Sequence, residues 1–517
     1  VPAFLWDKFE YFFGVSAKEK AEITEESPEL WKNSDDSWKK FLSFRDLQED
    51  AFQKTGSETL GVFVGFLKRF TPDSFGDLHH QENIADLLKS NFVVEIEGES
   101  KFLHNNPSLR EYWIDLKSAK ESEKGICLIT GKETAIARTH PSIKGSTIGA
   151  QAMSALVAFN EKAYESYGKT QSYNSPIGEH SAFAYTTVLN YLLSHNRQRI
   201  KIADTTTVFW AEKDSHIEDL FSGMLAPQKD DGFSKEVQVF LESVRKGVMP
   251  KDVDGKQHFY ILGLSPNAAR LSVRFWYVNT VEEISRHFAR HFDLLEIVRQ
   301  SEKQLAHPGV WWLLIETASQ HKTENIPPNL AGPFMMAILK GTSYPASLLS
   351  ILIQRMRVEK DPNYYKCSLI KAILIRNFKK EVSVSLDKDR TDVAYVLGRL
   401  FAMLEKQQEE SAGGKLNASI KDKFFASAST HPSVTFPLLI RLSQHHYKKL
   451  KSERAGRAVN FQKDIQSVIG NLDSFPSYLK LEDQGLFAIG YYHQYQSFFE
   501  KRKTESLENN TESTKQD

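Results

Sequence analysis

Basic and amide side chains crowd one stretch of this 517-residue chain, between Ile126 and Glu212, alongside glycine and proline. Two apolar runs, Ile126 to Ile129 and Ala135 to Arg138, meet at Gly131-Lys132-Glu133, a pattern that predicts a hairpin. Arg138, His140 and Lys144 follow in a segment broken by Pro141 and Gly145, which predicts a basic surface loop. Gln151, Asn160, Lys169, Gln171, Asn174, Asn267 and Arg270 lie in or beside further turns. Cations neutralise phosphates, and amide or guanidinium groups held at the ends of rigid elements reach base edges. Turn residues of these types also recur for conformational reasons alone, so each by itself is a weak signal.

Two denser basic blocks lie further on. Between Lys340 and Lys380 the residues Arg355, Arg357, Lys360, Lys366, Lys371, Arg376 and Lys379 are opposed only by Glu359 and Asp361. Arg441, Lys448, Lys449, Lys451, Arg454 and Arg457, with His445 and His446, form the second. On helices such blocks suit phosphate contacts, or else a plain solvated face. Whole-chain charge is formally zero, so any argument for a polyanionic partner has to be local.

Other chemistries fail on spacing. Gly125 and Gly131-Lys132 stand one residue too far apart for a phosphate loop, and Glu133 replaces the hydroxyl residue that would hold magnesium. In Gly263-Leu-Ser-Pro-Asn267, Pro266 replaces the glycine of a nucleophile elbow. His287 and His291 sit at a zinc-compatible spacing, but Phe288 stands where a metalloprotease needs glutamate. With Arg286 and Arg290 beside them they read as a basic helix face. Cys127 and Cys367 are far apart and in apolar company, so no disulfide framework or thiolate site is indicated. No metal, no cofactor and no catalytic residue is expected.

The elements that would position these groups divide the chain. Residues 1–123 read as helical and acid-leaning, with Gly61 to Leu67 as a core helix segment and Phe92 to Ile96 as a strand. Residues 124–300 carry the strand signals: the two hairpin runs, Leu156 to Phe159, Ile200 to Ala203, Thr206 to Trp210, His258 to Leu264 and Leu271 to Val278. A helix is predicted from Ser175-Pro176 through Leu193. Residues 301–385 read as a basic helical connector, 386–503 as a helical bundle and 504–517 as a frayed polar tail. Val393, Val396, Leu397, Leu400, Phe401 and Leu404 share one helical stripe, and further helices are predicted over 415–428, 436–449, 461–472 and 483–499. The fold class is α+β, mostly antiparallel sheet in the N-terminal and central region, followed by a C-terminal α-helical bundle. No apolar run spans a bilayer and no signal peptide is visible, so a cytoplasmic location is expected.

Several long motifs match one family. Leu128-Ile-Thr-Gly-Lys-Glu133, Ala135-Ile-Ala-Arg-Thr-His-Pro-Ser-Ile-Lys-Gly145, Leu156-Val-Ala-Phe-Asn160, Tyr164-Glu-Ser-Tyr-Gly168 and Ala182-Phe-Ala-Tyr-Thr-Thr187 come in its order. Ile202 to Glu212, Ile261 to Phe275, Leu397-Gly-Arg-Leu-Phe-Ala402 and Phe487-Ala-Ile-Gly-Tyr-Tyr-His-Gln494 continue it. The chain thereby resembles the large subunit of the type I-C CRISPR surveillance complex, Cascade. The resemblance implies a non-enzymatic protein that recognises the protospacer-adjacent motif, promotes duplex opening and R-loop formation, and recruits a helicase-nuclease in antiviral defence. Implied partners are CRISPR RNA, target double-stranded DNA, the backbone, RNA-processing and small subunits, and that helicase-nuclease; no membrane partner is implied. It further implies that the C-terminal helical region is similar to the small subunit and can be made separately. A β-rich segment is expected to precede Phe4-Leu-Trp-Asp7, and the absence of an initial methionine fits a fragment or processed chain. On this basis the candidate nucleic-acid contacts are Lys132, Arg138, Lys144, Gln151, Asn160, Lys169, Gln171, Asn174, Asn267, Arg270, Lys371, Arg376, Lys379, Lys380, Lys448 and Lys449. Two rival expectations are a metal-dependent nuclease component and a structural scaffold without DNA contact.

Overall fold

A computed structural model describes residues 2–18, 30–77, 84–99, 101–118, 123–144, 149, 153–213, 215–225, 231–268, 270–413 and 416–513. The chain forms two compact units, one of residues 1–137 with 175–179 and one of residues 138–174 with 180–517. The fold is α+β.

The first unit is built on helices α1 (Asp35–Thr55) and α2 (Glu58–Arg69). Ser34 and Ser57 cap their N-termini, and Gly56 ends α1 in the left-handed region that glycine tolerates. Phe41, Phe44, Phe63 and Leu67 face Phe4, Phe9 and Phe12 in an aromatic core. Gln48, fully buried on α1, accepts from Leu5 N–H and donates to Ala3 O, both at 3.2 Å, which ties the leading segment to the helix. The predicted hairpin is present as Lys124–Ile126 paired with Glu133–Ala135. Its first strand ends at Ile126 because Cys127 N–H turns to Lys132 O and Gly131 N–H to Cys127 O.

In the second unit, α3 (Glu179–Ser194) starts later than Ser175-Pro176 predicts. The carbonyls of Pro176 and Ile177 accept from Leu128 and Ala137, so this segment pairs with the hairpin instead of entering a helix. The central sheet is an antiparallel meander of β1 (Arg199–Ile202), β2 (Thr205–Ala211), β3 (His258–Asn267) and β4 (Arg270–Thr280). Side-chain alternation splits it. Phe209, Phe259, Ile261 and Phe275 enter the main core, while Val208, Leu264 and Leu271 pack with Ile143, Leu189, Leu192 and Leu193. The predicted strand at Leu156 to Phe159 is irregular chain; the pairing lies just before it, Met153–Ser154 with Ile143–Lys144 and Ala155 with Arg270.

From Val281 onward the described residues are helices and connections: α4 (Val281–Leu295), α5 (Ala331–Lys340), α6 (Ala346–Glu359), α7 (Tyr364–Phe378), α8 (Val393–Ser411), α9 (Ile420–Ala428), α10 (Pro432–Glu453), α11 (Ala455–Ile469) and α12 (Leu481–Ser513) among them. The α12 helix is described to Ser513, and the rest of the expected polar tail, 514–517, lies outside the described residues. Val396, Leu397, Leu400, Phe401 and Leu404 are buried as their stripe predicts, whereas Val393, in the first turn of α8, is exposed. No helix among the described residues is long and apolar enough to cross a membrane.

Helices α8 and α12 touch backbone to backbone. A Cβ on Gly398 would lie 2.1 Å from Phe487 O, and one on Gly490 2.2 Å from Tyr395 O, so only glycine fits at either position. Gly398→Ala or Gly490→Ala should cost about 1–3 kcal/mol or more by overpacking. The measurement is the shift in denaturant midpoint. Gly456→Ala serves as the control, since a Cβ there meets nothing within 4 Å and the change should be neutral or mildly stabilising.

Candidate nucleic-acid interface

The basic loop of the second unit is fixed from beneath. Ile143 is buried against α3, and Asn190 of that helix accepts from Lys144 N–H at 2.8 Å and donates to Ser142 O at 3.1 Å. His140 Nδ1 lies 2.6 Å from the Tyr185 hydroxyl; burial lowers the imidazole pKa and raises the phenol to about 12, so both favour their neutral forms. Arg138 and Lys144 keep exposed side chains on this backbone.

The second component is the tip of the β3–β4 hairpin and the segment laid across it. Leu271 N–H donates to Ala155 O at 3.0 Å. Arg270 donates to Asn160 Oδ1, and its guanidinium stacks over the Tyr164 ring at 4.6 Å. One guanidinium N–H is thereby used and others stay available, on a side chain already held in place. Asn160 consequently acts first as a support for Arg270, with its amide N–H₂ left to donate. Asn267 is exposed beside Arg270 in the same tip.

Asn174 has no such spare capacity. Its Oδ1 accepts from Ser166 N–H at 2.9 Å, and its Nδ2 donates to Lys169 O at 2.8 Å and Gln171 O at 2.9 Å. It shapes the loop and is not free to read a base. Lys169 is exposed on that loop, and Gln171 is half-buried in a left-handed conformation, φ +48°. Gln151 lies outside the described residues. Lys132 belongs to the first unit, exposed on the turn that Cys127 organises. Burial opposes ionisation of that thiol, but N–H groups of Gly178, Thr130 and Ile129 and the Thr130 hydroxyl outweigh it and bring its pKa to about 6.

Within the first basic block Lys366, Lys371 and Arg376 are interior, whereas Lys340, Lys360 and Lys379 are exposed. Lys371 is buried with its Nζ 3.3 Å from Leu294 O, and burial lowers its pKa. Arg376 is buried too, donating to Ala337 O and Thr342 O at 3.3 Å beneath a 4.3 Å stack on Tyr344. Lys379 caps Arg376 O at 2.9 Å and Lys380 pairs with Asp483 at 3.5 Å. Lys366 is 0% exposed and meets Glu359 at 2.7 Å and Glu316 at 3.0 Å, while Arg355 and Arg357 bond Glu359 and Gln484. Lys371 and Arg376 therefore cannot contact DNA as expected. The sequence holds the signal: in Tyr364 to Phe378 apolar residues recur around the whole helix with the three cations interspersed, and a helix with no polar face is an interior helix.

The histidine pair is likewise corrected. His291 is fully buried with Nδ1 2.6 Å from the Tyr344 hydroxyl, and His287 Nδ1 is 2.6 Å from Leu339 O. They pack α4 against α5 and its flank and form no basic face. Arg286 pairs with Glu282 and Glu283. Among the described residues no group of three or more His, Cys, Asp or Glu gathers as a metal site would.

The second basic block does reach solvent. Arg441, His445, Lys448 and Lys449 fall at i, i+4, i+7 and i+8 of α10 and are all exposed, forming one cationic face. Arg457 lies elsewhere, in an ion pair with Glu410 at 2.7 Å. Across the whole of these elements, residues 1–499 match the model of the family described as CRISPR-associated protein (Cas_Csd1). The chain belongs to this CRISPR-associated family. No curated protein matches it. In this Csd1-family chain both the loop cluster and α10 present exposed cations, while Lys366, Lys371 and Arg376 are buried among the helices between.

Lys366→Ala should cost about 3–5 kcal/mol, because it removes the cation shared by two largely buried carboxylates and leaves Glu359 with Arg355 and Glu316 with the Asn363 amide. Burial alone would raise the Glu359 pKa, but its bonds from Lys366 and Arg355 lower it below the ordinary glutamate value. Its stabilising contribution is thus present above that ordinary value and fades as pH falls through the lowered one. Urea melts between pH 7 and pH 3 should show this acid loss in the native chain and less of it in the variant.

Proposed function

We propose that this protein is the large, non-catalytic subunit of a type I-C CRISPR RNA-guided DNA-targeting complex. It binds the duplex beside the target through the loop cluster around Arg270 and holds the displaced strand along α10. The observation that carries this reading is Arg270 itself, stacked on Tyr164, held by Asn160 and set at a hairpin tip among exposed Arg138, Lys144 and Lys169. A guanidinium with free donors on a rigid tip suits guanine or phosphate, and guide pairing leaves the protein only a short motif to read. Family membership supports a place in CRISPR antiviral defence. The partners proposed are CRISPR RNA, target DNA, the backbone, RNA-processing and small subunits, and a helicase-nuclease that performs the cutting.

The two surfaces have different tasks. Arg270 and Asn267 at the tip are placed to discriminate flanking sequence, while the loop cations and the α10 face grip phosphates without reading them. Charge on a helix face tracks a single strand with little sequence preference.

Arg270→Ala should weaken target-duplex binding by about 1–3 kcal/mol and change flanking-sequence preference in a screen of all flanks. Lys448→Ala combined with Lys449→Ala should instead weaken binding to all targets alike and reduce the log–log salt slope by about 1–2. An Arg270 variant with native affinity and preference, together with an unchanged salt slope for the lysine pair, would leave a scaffold role as the better reading.

A further inference from the structure

Tyr167 is 99% exposed at the apex of a two-residue turn. Ser166 and Lys169 close the turn as an antiparallel bridge, with Lys169 N–H donating to Ser166 O at 3.0 Å. Both central residues are left-handed, Tyr167 at φ +52° and Gly168 at φ +71°. Two consecutive positive φ values belong to the type I′ hairpin turn, whose first central position normally takes Asn, Asp or Gly. A bulky aromatic there is strained. Asn174 keeps the turn in this state through its three amide hydrogen bonds, to Ser166 on one limb and to Lys169 and Gln171 beyond the other. Backbone strain persists only where the surroundings over-determine it, and it concentrates at functional sites.

The surroundings of the ring are cationic. Lys162 and Lys169 are exposed on the same segment, Arg138 is joined to it through the Ser172 N–H to Arg138 O bond, and Arg270 stacks on Tyr164 three residues away. Glu161 and Glu165 balance the two lysines on the segment itself, and Arg138 and Arg270 add the cationic excess from the chain it bonds to. A fully presented aromatic plane on a braced turn, on a segment that carries Lys162 and Lys169 and bonds to Arg138 and Arg270, fits a nucleobase with its own phosphate.

We propose that Tyr167 is a stacking platform for one unpaired nucleobase at the end of the duplex gripped around Arg270, an inference that rests on the nucleic-acid reading above. Asn174 is its positioning residue. Every base has a π-face, so the contact is indifferent to sequence and selects unpaired over paired DNA.

The test uses the full chain with two probes: a DNA duplex with a single-stranded arm carrying 2-aminopurine at the first unpaired position, and the same duplex fully paired. The native chain should quench the fluorophore and prefer the forked probe. Tyr167→Ala should abolish quenching and lose about tenfold in forked-probe affinity with paired-duplex affinity unchanged, and Tyr167→Trp should restore both. Native quenching and affinity in Tyr167→Ala, or an equal loss on both probes, would overturn the proposal. If Arg270→Ala weakens both probes while Tyr167→Ala changes neither, the interface stands and the stacking role falls. If the native chain binds neither probe, both fall together.

Discussion

The helical part of the second unit depends on the crossing of α8 and α12 at Gly398 and Gly490. Because neither position has room for a Cβ, the two backbones approach until the flanking side chains must interdigitate. Polar groups on either side then find partners across the contact: Tyr491 O–H donates to Glu405 at 2.7 Å, Tyr395 meets His493 at 3.0 Å, and Arg399 donates to Gln494 at 3.3 Å. Burial raises the Glu405 pKa above the ordinary glutamate value. The crossing also explains two of the family motifs, since Leu397 to Ala402 and Phe487 to Gln494 are the two sides of one contact.

That contact binds the C-terminal helices into a larger core. Gly485 of α12 lies against Ile370 and Leu374 of α7, and Tyr492 O–H donates to Val298 O at 2.7 Å. Buried apolar residues run without a break from Phe209 of the sheet through Tyr395 to Tyr491. The C-terminal helical region is continuous with the rest of its unit. The buried cations of α7 belong to the same framework: Lys366 neutralises carboxylates from two directions, and Arg376 satisfies carbonyls at the end of α5. In an interior of low effective dielectric such groups hold elements in register, and their removal leaves an unmet partner.

The loop cluster works on the opposite principle. Its backbone is held by side chains, Asn190 beneath Lys144 and Asn174 within the 166–171 turn, so that cations and one aromatic ring can stand in solvent. Support residues and presenting residues are both amides or cations in sequence, and only hydrogen-bond direction separates them. Asn160 and Asn174 are both candidate readers by type, yet one retains donors and the other is fully used.

The sequence by itself determined the class and most elements. The alternation of β2 through β4, the apolar stripe of α8 and the serine caps are local patterns, and local patterns survive in one dimension because side-chain periodicity follows backbone periodicity. The motif order likewise pointed to a CRISPR-associated protein from sequence alone, as the family match shows. Tertiary structure decided which charges are surface. Lys371 and Lys448 are the same residue type on the same kind of element, but one helix is enclosed on every side and the other has one face in water. Ser175-Pro176 carried a sound helix-start signal that lost to pairing with the hairpin, a partner some forty residues earlier in the chain. Burial and long-range pairing depend on what the rest of the chain brings alongside, and no window of neighbouring residues contains that information.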